Sequence, residues 1–254
     1  MKTPSRANKA GQMRVSIVVP AFNEEKWIGE CLRSIARARL QADPEGAVEE
    51  IIVVDNNSND RTAELARGEG ARVVFEPVNQ IARARNAGAA AAAGDWLLFI
   101  DADSTLPANL LAETLSVMRG GKAIGGGALV RFPATAPRMA LWGAAIWKQL
   151  SIRLHWAAGS YIFARADAFR EVGGFNQELF FSEEIDLSRR LGRLGRKRGL
   201  GFVIIVSAHI DTSDRKCYLY STWDLFRLAA GIALRPFSSR KSRKAAFPWY
   251  DGRR

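Results

Sequence analysis

The sequence predicts an α/β fold, a mostly parallel sheet flanked by helices and followed by a C-terminal amphipathic and basic appendage. Three observations predict it. Apolar runs of strand length alternate with stretches of helical periodicity, and the runs are near-continuous in apolar residues, as in strands covered on both faces. Each of the best-defined runs ends in polar or acidic residues. No short repeat or solenoid period is superimposed on the alternation.

The first strand, Val15-Ser16-Ile17-Val18-Val19, leads through Pro20-Ala21-Phe22-Asn23-Glu24-Glu25 into an amphipathic helix with Trp27, Ile28, Cys31, Leu32 and Ile35 on one face. Asn23 is the expected N-cap of that helix, and Glu24 and Glu25 favour its first turn. A second strand, Ile51-Ile52-Val53-Val54, ends in Asp55-Asn56-Asn57-Ser58-Asn59-Asp60 and enters a helix from Arg61, for which Ser58 and Asp60 are the capping candidates. A third strand, around 72–75, precedes an Ala-rich helix over roughly 80–93. The fourth strand, Trp96-Leu97-Leu98-Phe99-Ile100, delivers Asp101-Ala102-Asp103. Ligands of such sheets bind beyond the carboxyl ends of the strands, the edge at which Asn23, Asp55, Asp101 and Asp103 all fall.

Each of these residues suggests a chemistry. A strand lifts alternate side chains to one face, so Asp101 and Asp103 are expected to point together, with Ala102 leaving room for a ligand. Hard oxygen ligands of this kind suit Mg²⁺ or Mn²⁺, completed by substrate phosphates. A solvated turn is the competing reading of an isolated D-x-D. Asp55 can accept a hydrogen bond from the ring N–H of uracil or guanine, or cap the following helix. Arg85, on the Ala-rich helix, reads from periodicity alone as part of a solvated face. Further on, Glu183-Glu184-Ile185-Asp186 opens a helix whose apolar face is set by Leu187, Leu191 and Leu194. That face includes Glu183 and lies near Glu184, whereas Asp186 points away. Glu184 at a helix start is therefore pulled two ways, its pKa raised by burial and lowered by the helix dipole, which suits a general base.

The strand with Pro20-Ala21-Phe22-Asn23-Glu24, the segment Val53-Val54-Asp55-Asn56-Asn57-Ser58, the run Ala84-Arg85-Asn86-Ala87-Gly88, the strand end Phe99-Ile100-Asp101-Ala102-Asp103, and Gly173-Gly174-Phe175 followed by Ser182-Glu183-Glu184 stand in a recognisable order. Together they resemble the family 2 glycosyltransferases of the GT-A fold, a Rossmann-like architecture, over about 14–216. The resemblance implies that Pro20, Ala21, Phe22, Glu24, Asp55, Arg85, Asp101 and Ala102 bind the nucleotide. It implies Asp103 as the principal metal ligand, with Asp101 sharing the metal or holding the ribose. It also implies that Gly159, Ser160 and Glu183 lie on the acceptor side. Glu184 matches the catalytic Asp of the family's Glu-Asp pair, one methylene longer. His209 is a candidate third ligand, since imidazole is acceptable to Mn²⁺.

With one base and no second nucleophile, the expected reaction is a single displacement with inversion, driven by Mn²⁺ or Mg²⁺ on the departing diphosphate of a UDP- or GDP-sugar. The processive Gln-x-x-Arg-Trp motif of the family is absent, so transfer of one sugar is expected. Trp142, Trp147 and Trp156 lie where relatives bind acceptors, and core packing is the expected use of most of them. A dinucleotide-binding dehydrogenase would need a G-x-G-x-x-G turn after its first strand. A nucleotidylyltransferase would need a glycine- and basic-rich phosphate loop where Pro20-Ala21-Phe22-Asn23 stands. A catalytically silent sugar-nucleotide or membrane-binding module draws support only from Glu184 in place of Asp.

The 254 residues, 48% hydrophobic, suffice for one substantial core. The expected organisation is a flexible 1–13, a GT-A domain over 14–215 with a nucleotide-binding half (14–105) and an acceptor half (106–215), and an appendage over 216–254. Residues 189–254 carry 16 Lys and Arg against 4 Asp and Glu, leaving 21 against 22 for residues 1–188. The basic excess is thus C-terminal, and without a recognition motif it does not predict specific nucleic-acid binding. Apolar residues between Tyr218 and Phe237, followed by the basic tail from Arg240, fit either a helix that packs on the domain or one that lies on an anionic membrane surface, the latter pointing to a lipid-linked or cell-envelope glycan acceptor. Cys31 and Cys217 show no metal or redox spacing, and no signal-type or membrane-spanning run occurs. A cytoplasmic protein, peripheral on the inner membrane face, is expected. The sugar, linkage and oligomeric state carry no signature in the sequence.

Overall fold

Along the first strand, β1 (Val15–Ala21), Val15, Ile17 and Val19 enter one apolar layer and Val18 the other, so the strand is covered on both faces as its unbroken apolar run predicts. The structure, a computed structural model, describes residues 12–133, 135–213 and 215. After β1 come α1 (Ile28–Ala42), β2 (Val48–Asp55), α2 (Thr62–Gly68), β3 (Arg72–Phe75), α3 (Ile81–Ala91) and β4 (Trp96–Ile100). The later part adds β5 (Ser104–Thr105), α4 (Ala108–Arg119), β6 (Ala123–Arg131), α5 (Arg138–Leu154), β7 (Tyr161–Arg165), α6 (Ala166–Glu171), α7 (Glu183–Arg198) and β8 (Gly201–Thr212).

All the described strands join one sheet in the order β3-β2-β1-β4-β7-β6-β8-β5. The first four run parallel, as the alternation predicts. β7 then pairs antiparallel to both β4 and β6, β8 runs parallel to β6, and β5 pairs antiparallel to the end of β8. Residues of α1, α2 and α4 fill one apolar layer, and those of α3, α6 and α7 the other. The expected halves 14–105 and 106–215 therefore share a single sheet rather than two cores.

Antiparallel β7 sets up the site. Because Tyr161 at the start of β7 pairs with Ile100 at the end of β4, Gly159-Ser160 and Asp101 emerge side by side. The Asp101 N–H donates to Ser160 O at 3.4 Å.

Two capping expectations are corrected. Helix α1 starts at Ile28 with Trp27 in the N-cap position and no side-chain cap. Asn23 instead adopts a left-handed backbone (φ 53°), a region Asn tolerates better than most residues, and its side chain accepts the Asn59 N–H at 2.8 Å. Its own N–H donates to Ser58 Oγ at 3.0 Å, so Asn23 laces the loop after β1 to the loop after β2. Ser58 is thereby drawn away from α2, and Asp60 alone of the two candidates reaches that helix, accepting the Thr62 N–H at 3.0 Å. The appendage over 216–254, Cys217, and residues 1–11 lie outside the described residues.

Candidate active site

A cavity of about 480 Å³ opens at the carboxyl ends of β1 and β4. Pro20, Ala21, Phe22 and Glu24 form one wall, and Arg85, Asp101, Ala102 and Asp103 lie at the centre. Gly159, Ser160, Glu183 and Glu184 form the opposite side. Asp55 is not on the wall. Its Oδ1 accepts the Ser58 N–H at 2.9 Å, while the next residue, Asn56, lines the cavity. Asn56 also organises the loop beyond β3, accepting the Gln80 N–H and donating to the carbonyls of Glu76 and Val78.

Asp101 and Asp103 do not sit on the strand. β4 ends at Ile100, and the Ser104 N–H donates to Asp101 O at 3.0 Å, closing a turn that presents both carboxylates to the cavity. Their common orientation comes from this turn, not from strand alternation.

Arg85 departs furthest from its periodicity. It is 2% exposed, so the solvated-face reading is overturned. Small residues on α3 let the helix lie close to β1 and β2 and carry Arg85 under the cavity floor. There its guanidinium donates to Glu183 Oε1 at 2.6 Å, Asp101 Oδ1 at 2.9 Å and Gly159 O at 2.8 Å. One cation thus joins Asp101, the loop carrying Gly159 and the start of α7. The Phe175 ring lies 5.2 Å from the guanidinium carbon. Phe175 is itself held by Asn86, which accepts its N–H at 2.9 Å and donates to its carbonyl at 2.8 Å. Two motifs far apart in sequence are one clamp in space.

Helix α7 starts from Ser182, whose left-handed backbone (φ 62°) is strained for a residue with a Cβ. The turn directs Glu183 to Arg85 and Glu184 into the cavity, whereas Asp186 pairs with Arg190 at 2.7 Å away from it. Burial, followed by the neighbouring Glu183 charge, pushes the Glu184 carboxyl up to about 8. The Glu184 carboxyl carbon lies 3.8 Å from where a Cβ on Gly159 would stand, and Arg85 Nη2 lies only 3.1 Å from that point. Glycine at 159 therefore leaves the space above the carboxyl open.

Asp103 is held from a direction the sequence does not announce. Arg215 Nη2 lies 3.0 Å from Asp103 Oδ2, and the same guanidinium forks onto both oxygens of Glu24. Nothing marks Arg215 beyond its place in the basic C-terminal excess, because its partners lie far back in the chain. His209 is corrected. On β8 it pairs with Leu129 and does not line the cavity, and the residue bonded to Asp103 O is Ser213, four positions on and roughly 13 Å along an extended strand. Among the described residues no group of three His, Cys, Asp or Glu is gathered for a metal. The donors present still fit Mg²⁺ or Mn²⁺, which need one or two protein carboxylates when substrate phosphates complete the shell. Asp103 and Asp101 provide those carboxylates at one mouth.

The sequence profile of Glycosyl transferase family 2 matches residues 16–173, from β1 through the turn that leads to Phe175. The chain belongs to glycosyl transferase family 2. Among its relatives is the succinoglycan biosynthesis protein ExoA of Rhizobium meliloti (strain 1021), 29% identical over 196 residues, which cover 70% of this chain and 58% of ExoA. The family 2 chain thus spans less than two thirds of that relative's length. Its fold matches glucosyl-3-phosphoglycerate synthase from Mycobacterium tuberculosis, solved with Mn²⁺, UDP and glucosyl-3-phosphoglycerate (TM-score 0.59, 24% identity, 91% of this chain and 80% of that one). It also matches the mannosyltransferase PcManGT from Pyrobaculum calidifontis, solved with GDP-Man and Mn²⁺ (TM-score 0.64, 18% identity, 96% and 68%). The architecture is therefore that of the GT-A glycosyltransferases.

Proposed function

We propose that this chain is a metal-dependent, inverting glycosyltransferase that moves one sugar from a nucleoside diphosphate sugar, UDP-linked first and GDP-linked second, to an acceptor hydroxyl. The observation that carries the reading is the Arg85 bridge, which puts a diphosphate-side carboxylate, Asp101, and the acceptor-side Glu183-Glu184 turn on the walls of one cavity. The solved neighbours with UDP or GDP-Man and Mn²⁺ support the donor class and the cation.

In this mechanism Pro20, Ala21 and Phe22, with Asn56 just past the end of β2, receive the base, Asp55 behind the wall holds that loop through the Ser58 N–H, and Asp101 and Ala102 receive the ribose. Asp103, with Asp101 beside it, would hold the cation. Bound there, a divalent ion supplies charge neutralisation to the leaving diphosphate, a gain largest in the transition state. Arg85 keeps Asp101 and Glu183 fixed, so little reorganisation accompanies the chemistry. The acceptor hydroxyl lies over Gly159-Ser160 beside Glu184. Its oxygen attacks the anomeric carbon, Glu184 takes its proton, and the C–O pair leaves with the nucleoside diphosphate. With Glu184 as the one base assigned to the acceptor, this is a single displacement and the configuration inverts.

A lipid-linked acceptor is favoured over a free glycan by α5. Trp142 and Ile146, 72% and 60% exposed, continue through Leu150 and Leu154 as an every-fourth-residue apolar stripe. Trp142 is thus outside the core, whereas Trp147 and Trp156 are half-buried. Trp147 and Ala144 of the same helix line the cavity, which gives a path from an apolar surface to the site. That stripe and the basic C-terminal excess support peripheral attachment to an anionic membrane, for which the cytoplasmic face is the reading adopted. No helix among the described residues is long and apolar enough to cross a membrane.

Calorimetric titration with UDP, GDP and CDP, each with and without Mn²⁺, tests the donor reading. Mn²⁺-dependent binding of UDP or GDP that is lost in Asp103→Asn is the expected result. Equal binding of CDP, or no nucleotide binding at all, would sink it.

A further inference from the structure

Arg215 sits where a cation would be needed. After β8 ends at Thr212, the Ser213 N–H donates to Asp103 O at 3.2 Å and the Arg215 N–H to Ser213 Oγ at 3.1 Å, so the segment is pinned against the metal turn. The guanidinium then lies 3.0 Å from Asp103 Oδ2 and donates to Glu24 Oε2 at 2.6 Å. All three side chains are at least nine-tenths buried, with exposures of 10%, 8% and 7% for Arg215, Asp103 and Glu24. Among the described residues the buried Arg215 Nε has no hydrogen-bond partner, a donor unmet by them in this arrangement.

A divalent ion binds a carboxylate oxygen at about 2.1 Å, within about 4 Å of a guanidinium nitrogen on that same oxygen, and two cations so placed repel strongly in a partly buried cavity. We propose that Arg215 and the divalent cation are alternative occupants of the Asp103 carboxylate. Cation entry requires the guanidinium to leave, and the nucleoside diphosphate drives that exchange, because its oxygens can take the planar donor fork together with Nε. The chain without nucleotide is thereby kept from binding metal tightly, and metal and donor load together. The proposal rests on the donor-site reading above and adds to it a residue outside the motifs that carry the resemblance.

The test is Mn²⁺ binding followed by loss of the free-ion EPR signal, with and without UDP, in the full chain and in Arg215→Gln, Lys148→Gln and Asp103→Asn. Lys148 lines the same cavity and reports a general loss of positive charge. Without UDP, Arg215→Gln is expected to bind Mn²⁺ at least about fivefold more tightly than wild type, and Lys148→Gln within about twofold of it. UDP is expected to tighten Mn²⁺ binding several-fold more in wild type than in Arg215→Gln. The proposal is overturned if Arg215→Gln binds Mn²⁺ no more tightly than wild type, or if Lys148→Gln shows the same gain. If wild type with UDP still binds Mn²⁺ in an Asp103-dependent way, only the exchange has failed. If no form binds Mn²⁺ even with UDP, the metal reading falls with it.

Discussion

Glu184 is useful as a base because its surroundings resist its charge. Burial and the Glu183 carboxylate hold its pKa near 8, so at neutral pH most of the free protein carries the protonated form. kcat/KM is expected to rise with pH and level off above about 8, and Glu184→Gln should lower kcat by about 10²–10⁴-fold while leaving nucleotide affinity within a few-fold. Steady-state kinetics from pH 6 to 9.5 check both, and an unchanged turnover in the variant would remove Glu184 as the base. The same shift has a stability consequence. The folded chain retains a proton that the unfolded chain releases from about pH 4.5 upward, so wild type loses stability as pH rises to about 8. Glu184→Gln lacks that slope, and its melting-temperature advantage should grow from pH 5 to 8 and then flatten. The helix-start carboxylates were legible as a pair in the sequence, because their positions relative to Leu187 and Leu191 follow from helical geometry. Burial of Glu184 was an expectation too, but which effect prevails was not legible, because the wall that carries Gly159 beside it comes from elsewhere in the chain.

Helix α3 shows how an element places a residue it does not otherwise distinguish. A Cβ on Gly88 would stand 2.3 Å from Val18 Cγ1 and 2.8 Å from Val54 Cγ2, so the helix rests on β1 and β2 through a bare backbone. Alanine is the better helix former by about 0.5–1 kcal/mol, but overpacking a core costs about 1–3 kcal/mol. The clash wins, and Gly88→Ala is expected to lower stability and to weaken UDP binding by shifting Arg85. Thermal melts with calorimetry test this, and a variant more stable than wild type would refute it. The helix itself was evident from its Ala-rich composition, with its ends displaced by one residue at the start and two at the finish. Its orientation was not, since an Arg among alanines has the same local sequence whether it faces water or a buried carboxylate. The turn carrying Asp101 and Asp103 follows the same logic. Its location was readable from the end of an apolar strand, whereas its geometry depends on β5 and β8 closing behind it.

Along the whole chain, charge is unevenly distributed. The basic excess is C-terminal, and α5 exposes Trp142, Ile146, Leu150 and Leu154 in a line of about 18 Å, taken at 1.5 Å per residue. Trp142→Glu combined with Ile146→Glu is expected to cut sedimentation with vesicles containing anionic lipid by about fivefold or more while UDP binding is retained. Equal sedimentation of variant and wild type would refute attachment through α5, and a dimer lost in the variant would assign the stripe to a second copy of the chain. The sequence by itself determined the alternating order of strands and helices, the parallel half of the sheet and the edge at which the cavity opens. These are local properties, since periodicity and strand ends are written in consecutive residues. Only the tertiary structure decided that β7 reverses beside β4, that Arg85 bridges the two sides, that His209 stays away from Asp103 and that Arg215 reaches it. Those outcomes depend on contacts between residues far apart in the chain, where no local pattern records which side chain will meet which.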